Sequence, residues 1–209
     1  MIHPGTELKF ISPEIGYGIF ATAFIPMGTI VYVEDPLDIK VGPENYLLRD
    51  SRYKNFIKRY SVRDTRGNYI LCWDNAKYVN HCCQCNTMST GYDFEIAIRD
   101  IEAGEEITDE YSLFNLEEEI PLICQHSDCR GKLRAHDVIN YSAQWDEMLK
   151  HALQRLQHIP QPLLPHLDPI TYNDLMDYLI GGNNYRSVTA LIDLSGPAAK
   201  SLSNNQTIR

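Results

Sequence analysis

The sequence predicts a mainly β protein built of small sheets and followed by an α-helical C-terminal extension. Two observations carry this. Short β-prone segments bounded by turn residues fill the first half of the chain, whereas from about residue 143 the apolar residues fall at helical spacing. A chain of 209 residues with 44% hydrophobic content is long and apolar enough for a folded core, as one domain with an appendage or as two small ones.

The strands expected are residues 8–12, 19–23, 29–34, 69–73 and the alternating run 94–99, with a further strand-like stretch at 106–111. Residues 43–60 place Tyr46, Leu47, Tyr53, Phe56, Ile57 and Tyr60 among charges, which reads as one or two short helices. In the extension, Trp145, Met148, Leu149, Ala152, Leu153 and Leu156 form the stripe of an amphipathic helix over residues 143–158, ended by Pro160, Pro162 and Pro165. A second helix is expected to open at Pro169 with Asp168 as its N-cap and to stop at Gly181-Gly182. A third is expected over 185–194, and the last dozen residues read as a frayed tail. The stripe is core by default; the alternative is a homodimer face or a partner-docking surface.

Composition also narrows function. A net charge of −9 argues against direct nucleic-acid binding, which needs clustered Lys and Arg, and agrees with a basic partner. No apolar run approaches the roughly 18–20 residues that span a bilayer, and the N-terminus opens on His3, Pro4 and Gly5 rather than on a basic stretch leading into an apolar one. A soluble intracellular protein is expected, its compartment open among nuclear, cytoplasmic and secreted-effector placement. Six cysteines lie in the chain, and four of them (Cys83, Cys85, Cys124 and Cys129) sit at close spacings near histidines, which favours metal or free thiols over a disulfide framework.

Four motifs follow one another. Gly16-Tyr17-Gly18 lies between two expected strands; alone it reads as an ordinary tight turn. Asn80-His81 within Asn80-His81-Cys82-Cys83-Gln84-Cys85-Asn86 reads alone as a buried polar pair. Tyr111 closes Gly104-Glu105-Glu106-Ile107-Thr108-Asp109-Glu110-Tyr111 and reads alone as a half-buried core residue. Cys124 and Cys129 precede Arg130-Gly131.

In this order the four motifs resemble the landmarks of the SET-domain protein-lysine N-methyltransferases, over roughly residues 5–134. The resemblance implies a SET fold with a pseudoknot, divided as a SET domain over 1–120 with an insert at about 36–68, a post-SET-like cysteine segment over 121–134 and a helical extension over 135–209. It implies methyl transfer from S-adenosylmethionine to a lysine amine of a protein substrate, a histone or another basic protein. Gly16, Tyr17, Gly18, Asn80 and His81 would contact the cofactor, Asn86 would be structural, and Tyr111 would be the catalytic tyrosine. Tyr69 and Trp73 are candidates for the substrate channel. Asp109 stands where Phe or Tyr is usual, a place whose residue, by the resemblance, would influence how many methyl groups one lysine receives; a buried carboxylate is costly unless paired, so it is expected to point to solvent or to a cation. Cys82 and Cys85 replace the usual Ser and Pro of the Asn-His motif. Zinc is the candidate metal, on Cys83, Cys124 and Cys129. Leu122 replaces the earliest tail cysteine, so a fourth ligand must come from Cys85 or His126 or the site is empty. The rival readings are a non-catalytic interaction module of the same fold and a zinc or redox-thiol protein.

Overall fold

The computed structural model describes residues 1–122, 126 and 129–200. Four small sheets fill the first two thirds. The hairpin β1 (Thr6–Ser12) and β2 (Gly16–Ala21) opens the first. Next, β3 (Ile30–Val33), of another sheet, leads to an insert with β4 (Ile39–Val41), helix α1 (Ser51–Tyr60), β5 (Ser61–Arg63) and β6 (Tyr69–Leu71). The remaining strands are β7 (Asn80–His81), β8 (Thr87–Ser89), β9 (Phe94–Ala97), β10 (Glu106–Asp109), β11 (Ile120–Pro121) and β12 (Lys132–Leu133). Helices α2 (Asp137–Leu156) and α3 (Pro169–Gly181) make the extension.

The sheet that positions the site has the order β1-β2-β10-β7. Ile19 and Ala21 of β2 and Ile107 of β10 are fully buried, and Ile107 lies opposite Ile19 across the ladder. The other edge of β10 pairs in parallel with β7, setting Thr108 beside Asn80 and Asp109 beside His81. Two residues make a weak strand, and Asn86 fixes the segment that follows. Its Nδ2 donates to Glu106 O at 2.8 Å, and its Oδ1 accepts from Thr108 N at 2.9 Å. A fully buried Asn whose amide is used in this way is structural, because it supplies the backbone partners a missing strand would have given.

The insert forms its own sheet, β4-β6-β5, around a small cluster of Val41, Ile57 and Tyr69. Helix α1 starts where Asp50 accepts from Arg52 N at 2.9 Å, an ordinary N-cap. A 3-10 turn over Tyr46–Arg49 precedes it, so the expected one or two short helices are both present.

The third sheet, β3-β9-β8, carries the extension. Its apolar face, with Ile30, Val33, Met88, Phe94 and Ile96, shares one core with Trp145, Leu149, Ala152, Leu153 and Leu156 of α2. Gly28 permits the approach: its φ is +95°, and a Cβ there would come within 2.8 Å of Ala152 O. Five of the six stripe residues are thus buried inside the chain, while Met148 is exposed. Helix α2 also begins six residues earlier than the apolar spacing indicates, because Val138 extends the stripe and His136 at the N-cap makes no capping hydrogen bond that would have marked the start. Helix α3 runs as its cap chemistry predicts, with Asp168 Oδ1 accepting from Ile170 N at 3.0 Å and Thr171 N at 3.1 Å, and Gly182 left-handed at φ +66°.

The expected helix over 185–194 is instead a single 3-10 turn, Val188–Leu191. Asn115 is the reason. Its Nδ2 donates to Leu191 O at 2.8 Å and its Oδ1 accepts from Asp193 N at 2.8 Å, taking the backbone groups that helical propagation would need. The same Nδ2 reaches Arg63 O at 3.1 Å, and Arg63 pairs with the buried Asp193 at 3.3 Å, so insert and extension are tied through one amide. Residues 201–209, most of the expected tail, lie outside the described residues. No helix among the described residues is long and apolar enough to cross a membrane.

Candidate functional site

Tyr111 lines a cavity of about 400 Å³, with Tyr60, Tyr69, Glu95, Asp109 and Phe114 also among its walls. Such a volume suits one extended side chain or a small ligand. The Tyr111 phenol donates to Val79 O, and burial pushes its pKa well above the ordinary phenol range. It therefore stays protonated and keeps two lone pairs for a guest. Its ring lies 5.3 Å from Phe114 and 5.6 Å from His81, centroid to centroid.

His81 is half-buried, and burial lowers its pKa against a smaller opposing pull from Glu110. The imidazole is neutral at neutral pH. Its Nδ1 lies 2.9 Å from Asp109 O, and a carbonyl can only accept, so Nδ1 carries the proton; the longer 3.4 Å approach of Tyr111 N to the same atom is secondary. This leaves Nε2 as the lone-pair nitrogen, facing Cys83 Sγ at 3.7 Å.

Gly16, Tyr17 and Gly18 belong to the start of β2 rather than to a loop between strands. Each glycine has a separate reason. Gly16 takes φ +90°, and a Cβ on Gly18 would meet Glu106 Oε1 and Ile11 Cδ1 at 2.6 Å and Asn80 Nδ2 at 3.0 Å. The close approach lets Asn80 Nδ2 donate to Tyr17 O at 3.0 Å and to Glu106 Oε1 at 2.8 Å. Tyr17 is half exposed and leads a row of rings, 5.8 Å to Tyr78 and then 5.7 Å from Tyr78 to Tyr60 at the cavity. Sequence motifs 60 to 90 residues apart therefore meet on one surface.

Two channel candidates part company. Tyr69 lines the cavity and donates its hydroxyl to Glu117 Oε2 at 2.7 Å. Trp73 is not among the cavity walls; it is half exposed, anchored by its backbone N to Asp38 Oδ1 at 3.0 Å. Asp109 also departs from expectation. It faces neither solvent nor a cation: its exposure is 0%. Oδ1 accepts from Glu110 N at 2.6 Å, and the carboxyl lies within hydrogen-bonding reach of Glu95, which is its donor when Glu95 holds a proton. Burial first, then the charge of Asp109, pushes Glu95 well above the carboxylate range; burial, opposed by the hydrogen bond from Glu95, leaves Asp109 pushed up to about 6.

The cysteine segment is only partly placed. Cys124 lies outside the described residues. Cys83 Sγ and Cys129 Sγ stand 3.9 Å apart. Two thiolates about 2.3 Å from one tetrahedral zinc would be roughly 3.8 Å apart, so this spacing fits one edge of such a site. Cys85, considered above as a fourth ligand, is instead a core residue with 8% exposure whose thiol burial pushes well above its usual range, and His126 is exposed. Among the described residues no group of three or more His, Cys, Asp or Glu is placed to hold a metal.

Sequence reasoning passed over Glu95, Glu110 and Arg130. Arg130 donates to Glu110 Oε2 at 2.6 Å and to Asp137 Oδ2 at 3.3 Å, with all three side chains largely buried. The cue for Arg130 was its place directly after Cys129; Glu95 gave only a strand alternation that a solvent-facing residue would share.

Residues 16–112 match the family model described as the SET domain. Over 142 residues the chain is 31% identical to the histone-lysine N-methyltransferase set1 of Dictyostelium discoideum, an alignment covering 61% of this chain and 9% of that protein. It is 29% identical over 144 residues to the histone-lysine N-methyltransferase ash1 of Drosophila melanogaster, covering 62% of this chain and 6% of that one. The chain thus spans less than a tenth of the length of these curated relatives. Among solved structures it is similar to the methyltransferase domain of the human histone-lysine N-methyltransferase SETMAR, with 18% identity and a TM-score of 0.42, covering 64% of this chain and 58% of that one.

Proposed function

We propose that this chain, whose residues 16–112 match the SET domain, is a lysine methyltransferase of that family and moves a methyl group from S-adenosylmethionine to a lysine amine of a basic protein, histones being the first candidates. The observation that supports this best is the parallel pairing of β7 with β10. It sets Asn80-His81, next to the Gly16–Gly18 strand, beside Thr108 and Asp109 of β10, and Asp109 lines the cavity with Tyr111.

The residues present fit such a cofactor. Asn80 spends its amide N–H bonds on Tyr17 O and Glu106 Oε1, which leaves its Oδ1 as acceptor for the ammonium of an amino-acid moiety. Neutral His81 and the half-exposed Tyr17 border the same surface. When bound, S-adenosylmethionine supplies a methyl on a sulfonium, which needs no strong base but an aligned amine. Alignment is what the chain contributes. The Tyr111 hydroxyl, fixed by Val79 O, offers its lone pairs where positive charge lies, and the aromatic walls exclude water and favour a cation by their ring faces. Desolvating a lysine in this cavity lowers its pKa and frees its lone pair.

The test is transfer of labelled methyl from S-adenosylmethionine to recombinant core histones and a panel of other basic proteins, together with calorimetry of the demethylated product. Binding without transfer to any of them would favour an interaction module; no binding at millimolar ligand would remove the cofactor assignment. Gly18→Ala serves as an internal check. A Cβ pressed against Glu106 and Asn80 displaces the Asn80 amide, and weakening its hydrogen bond to the cofactor ammonium is expected to lower the affinity about tenfold.

Zinc belongs to the same proposal, on Cys83 and Cys129 with Cys124 as third thiolate. Protein purified without chelator is expected to hold close to one equivalent of zinc by elemental analysis, and Cys129→Ser to lose it. Less than about a tenth of an equivalent in the wild type would mean that Leu122, in the place of the missing cysteine, leaves the site without a metal.

A further inference from the structure

We propose that helix α1 docks on double-stranded DNA through the phosphate backbone, beside the cavity, so that the protein meets its lysine on a substrate that carries DNA. The choice of substrate rests on the reading of the cavity as a lysine channel; the docking itself does not.

Residues 49–59 hold Arg49, Arg52, Lys54, Lys58 and Arg59 against a single acid, Asp50, in a chain whose net charge is −9. The whole-chain charge that argues against nucleic acid thus conceals a local cluster of the kind such binding needs. One of the five is spent within the fold, since Lys58 pairs with Glu117 at 2.8 Å. The other four are exposed. Arg52 meets Asp50 at 2.6 Å, a solvent-open pair of little worth, and Arg49, Lys54 and Arg59 have no ion-pair partner among the described residues.

The helix is held to its sheet by very little. Of its ten residues only Ile57 is buried, in the small cluster with Val41 and Tyr69. Its aromatic flank is engaged, since Phe56 packs on Tyr60 at 4.9 Å and Tyr60 on Tyr78 at 5.7 Å, centroid to centroid. Arg52, Asn55 and Arg59 fall at i, i+3 and i+7, so they share one face, and all three are exposed. The partner that covers this face must supply negative charge, and shape decides which partner. A convex rod of roughly 15 Å with cations along its outer side fits a groove walled by two rows of phosphates, as the major groove of a duplex is. A single strand calls instead for a channel with free ring faces, and an acidic peptide for a groove or a sheet edge in which to lie.

Placement ties the docking face to the reaction. Lys58, Arg59 and Tyr60, the last turn of α1, are cavity walls together with Tyr111. A duplex held along α1 lies next to the cavity. Histones wrapped by DNA bring both partners at once, phosphates for α1 and a lysine for the cavity, whereas free histones bring only the lysine.

Docking is measured by fluorescence anisotropy of a labelled duplex of about 20 base pairs titrated with the full chain. At about 0.1 M salt a dissociation constant of about 10⁻⁵–10⁻⁴ M is expected, with a slope of log affinity against log salt of about −3 to −4, as four neutralised phosphates require. Arg49→Gln/Arg52→Gln/Lys54→Gln changes three exposed residues that are not cavity walls; it is expected to weaken binding at least about tenfold and to bring the slope to about −1. No anisotropy change at about 1 mM protein would overturn the docking, as would tighter binding of the single strand, equal displacement by poly-glutamate, or a triple variant that binds as the wild type does. In parallel, the triple variant is expected to lower methyl transfer to nucleosomes at least about fivefold and to leave transfer to free core histones within about twofold. Equal loss on both would overturn the DNA-carrying substrate. Absence of transfer to either from the wild type would overturn the methyltransferase reading, while anisotropy still decides the docking.

Discussion

Tyr111→Phe is expected to lower methyl transfer by about 10²–10³-fold, the usual loss when one pre-aligned polar group is removed from a reacting centre. Affinity for the demethylated cofactor should stay within about threefold, because the lost oxygen faces the cavity and Val79 rather than Asn80 or the Gly16–Gly18 strand. The split between rate and binding is the diagnostic part. The ring keeps its contacts with Phe114 and His81, so the change leaves the shape of the cavity in place. Val79 O loses a donor, and a carbonyl left unsatisfied costs about 1–3 kcal/mol of stability, which a denaturant titration would register separately from the rate. Single-turnover transfer measured on folded protein therefore decides the matter, and a wild-type rate in the variant would remove Tyr111 from catalysis.

How far such residues could be read from sequence depended on whether their signal was local. Helix α3 was legible at both ends because Asp168, Pro169 and Gly182 act through bonds that span only a few residues. The start of α2 was not, since His136 makes no side-chain cap. Strands of two or three residues such as β7 and β12 carry no periodicity to detect; they exist because Asn86 and β10 hold one of them and β11 the other. At the site, the glycines, Asn80, His81 and Tyr111 stood out as motif residues. Asp109 and Glu95 did not, because alternation tells which face a side chain takes and not whether that face meets water or a closed cavity. The same blindness hid the tie between Asn115 and Leu191, a contact across 76 residues that no short window contains.

Arg130→Ala is expected to be the most destabilising single change near the site, costing about 3–5 kcal/mol, the usual loss when one partner of a buried ion pair is removed. Glu110 is 2% exposed and Asp137 likewise 2%, and Arg130 reaches both through separate guanidinium nitrogens, at 2.6 Å and 3.3 Å. Its guanidinium also lies over the rings of Tyr141 and Trp145, at 5.3 Å and 5.9 Å, so the residue joins the end of β10 to the first turns of α2. Truncation leaves two carboxylates buried without a cation. Protonating them or opening the segment to water are the ways out, and both loosen Glu110, the neighbour of Tyr111 and the cap of the turn behind it, where Glu110 Oε1 accepts from Ser112 N at 3.0 Å. The substitution should thus lower transfer as well as stability, whereas Arg130→Lys, which keeps the charge and loses the two-pronged geometry, should lose less of both. A double-mutant cycle separates the ion pair from simple packing. If the charge on Glu110 is what Arg130 neutralises, Arg130→Ala combined with Glu110→Gln should be more stable than Arg130→Ala alone, by at least about 1 kcal/mol in the denaturation midpoint analysis. Strict additivity of the two single losses would show that Arg130 acts through its stacking on Tyr141 and Trp145 and not through Glu110.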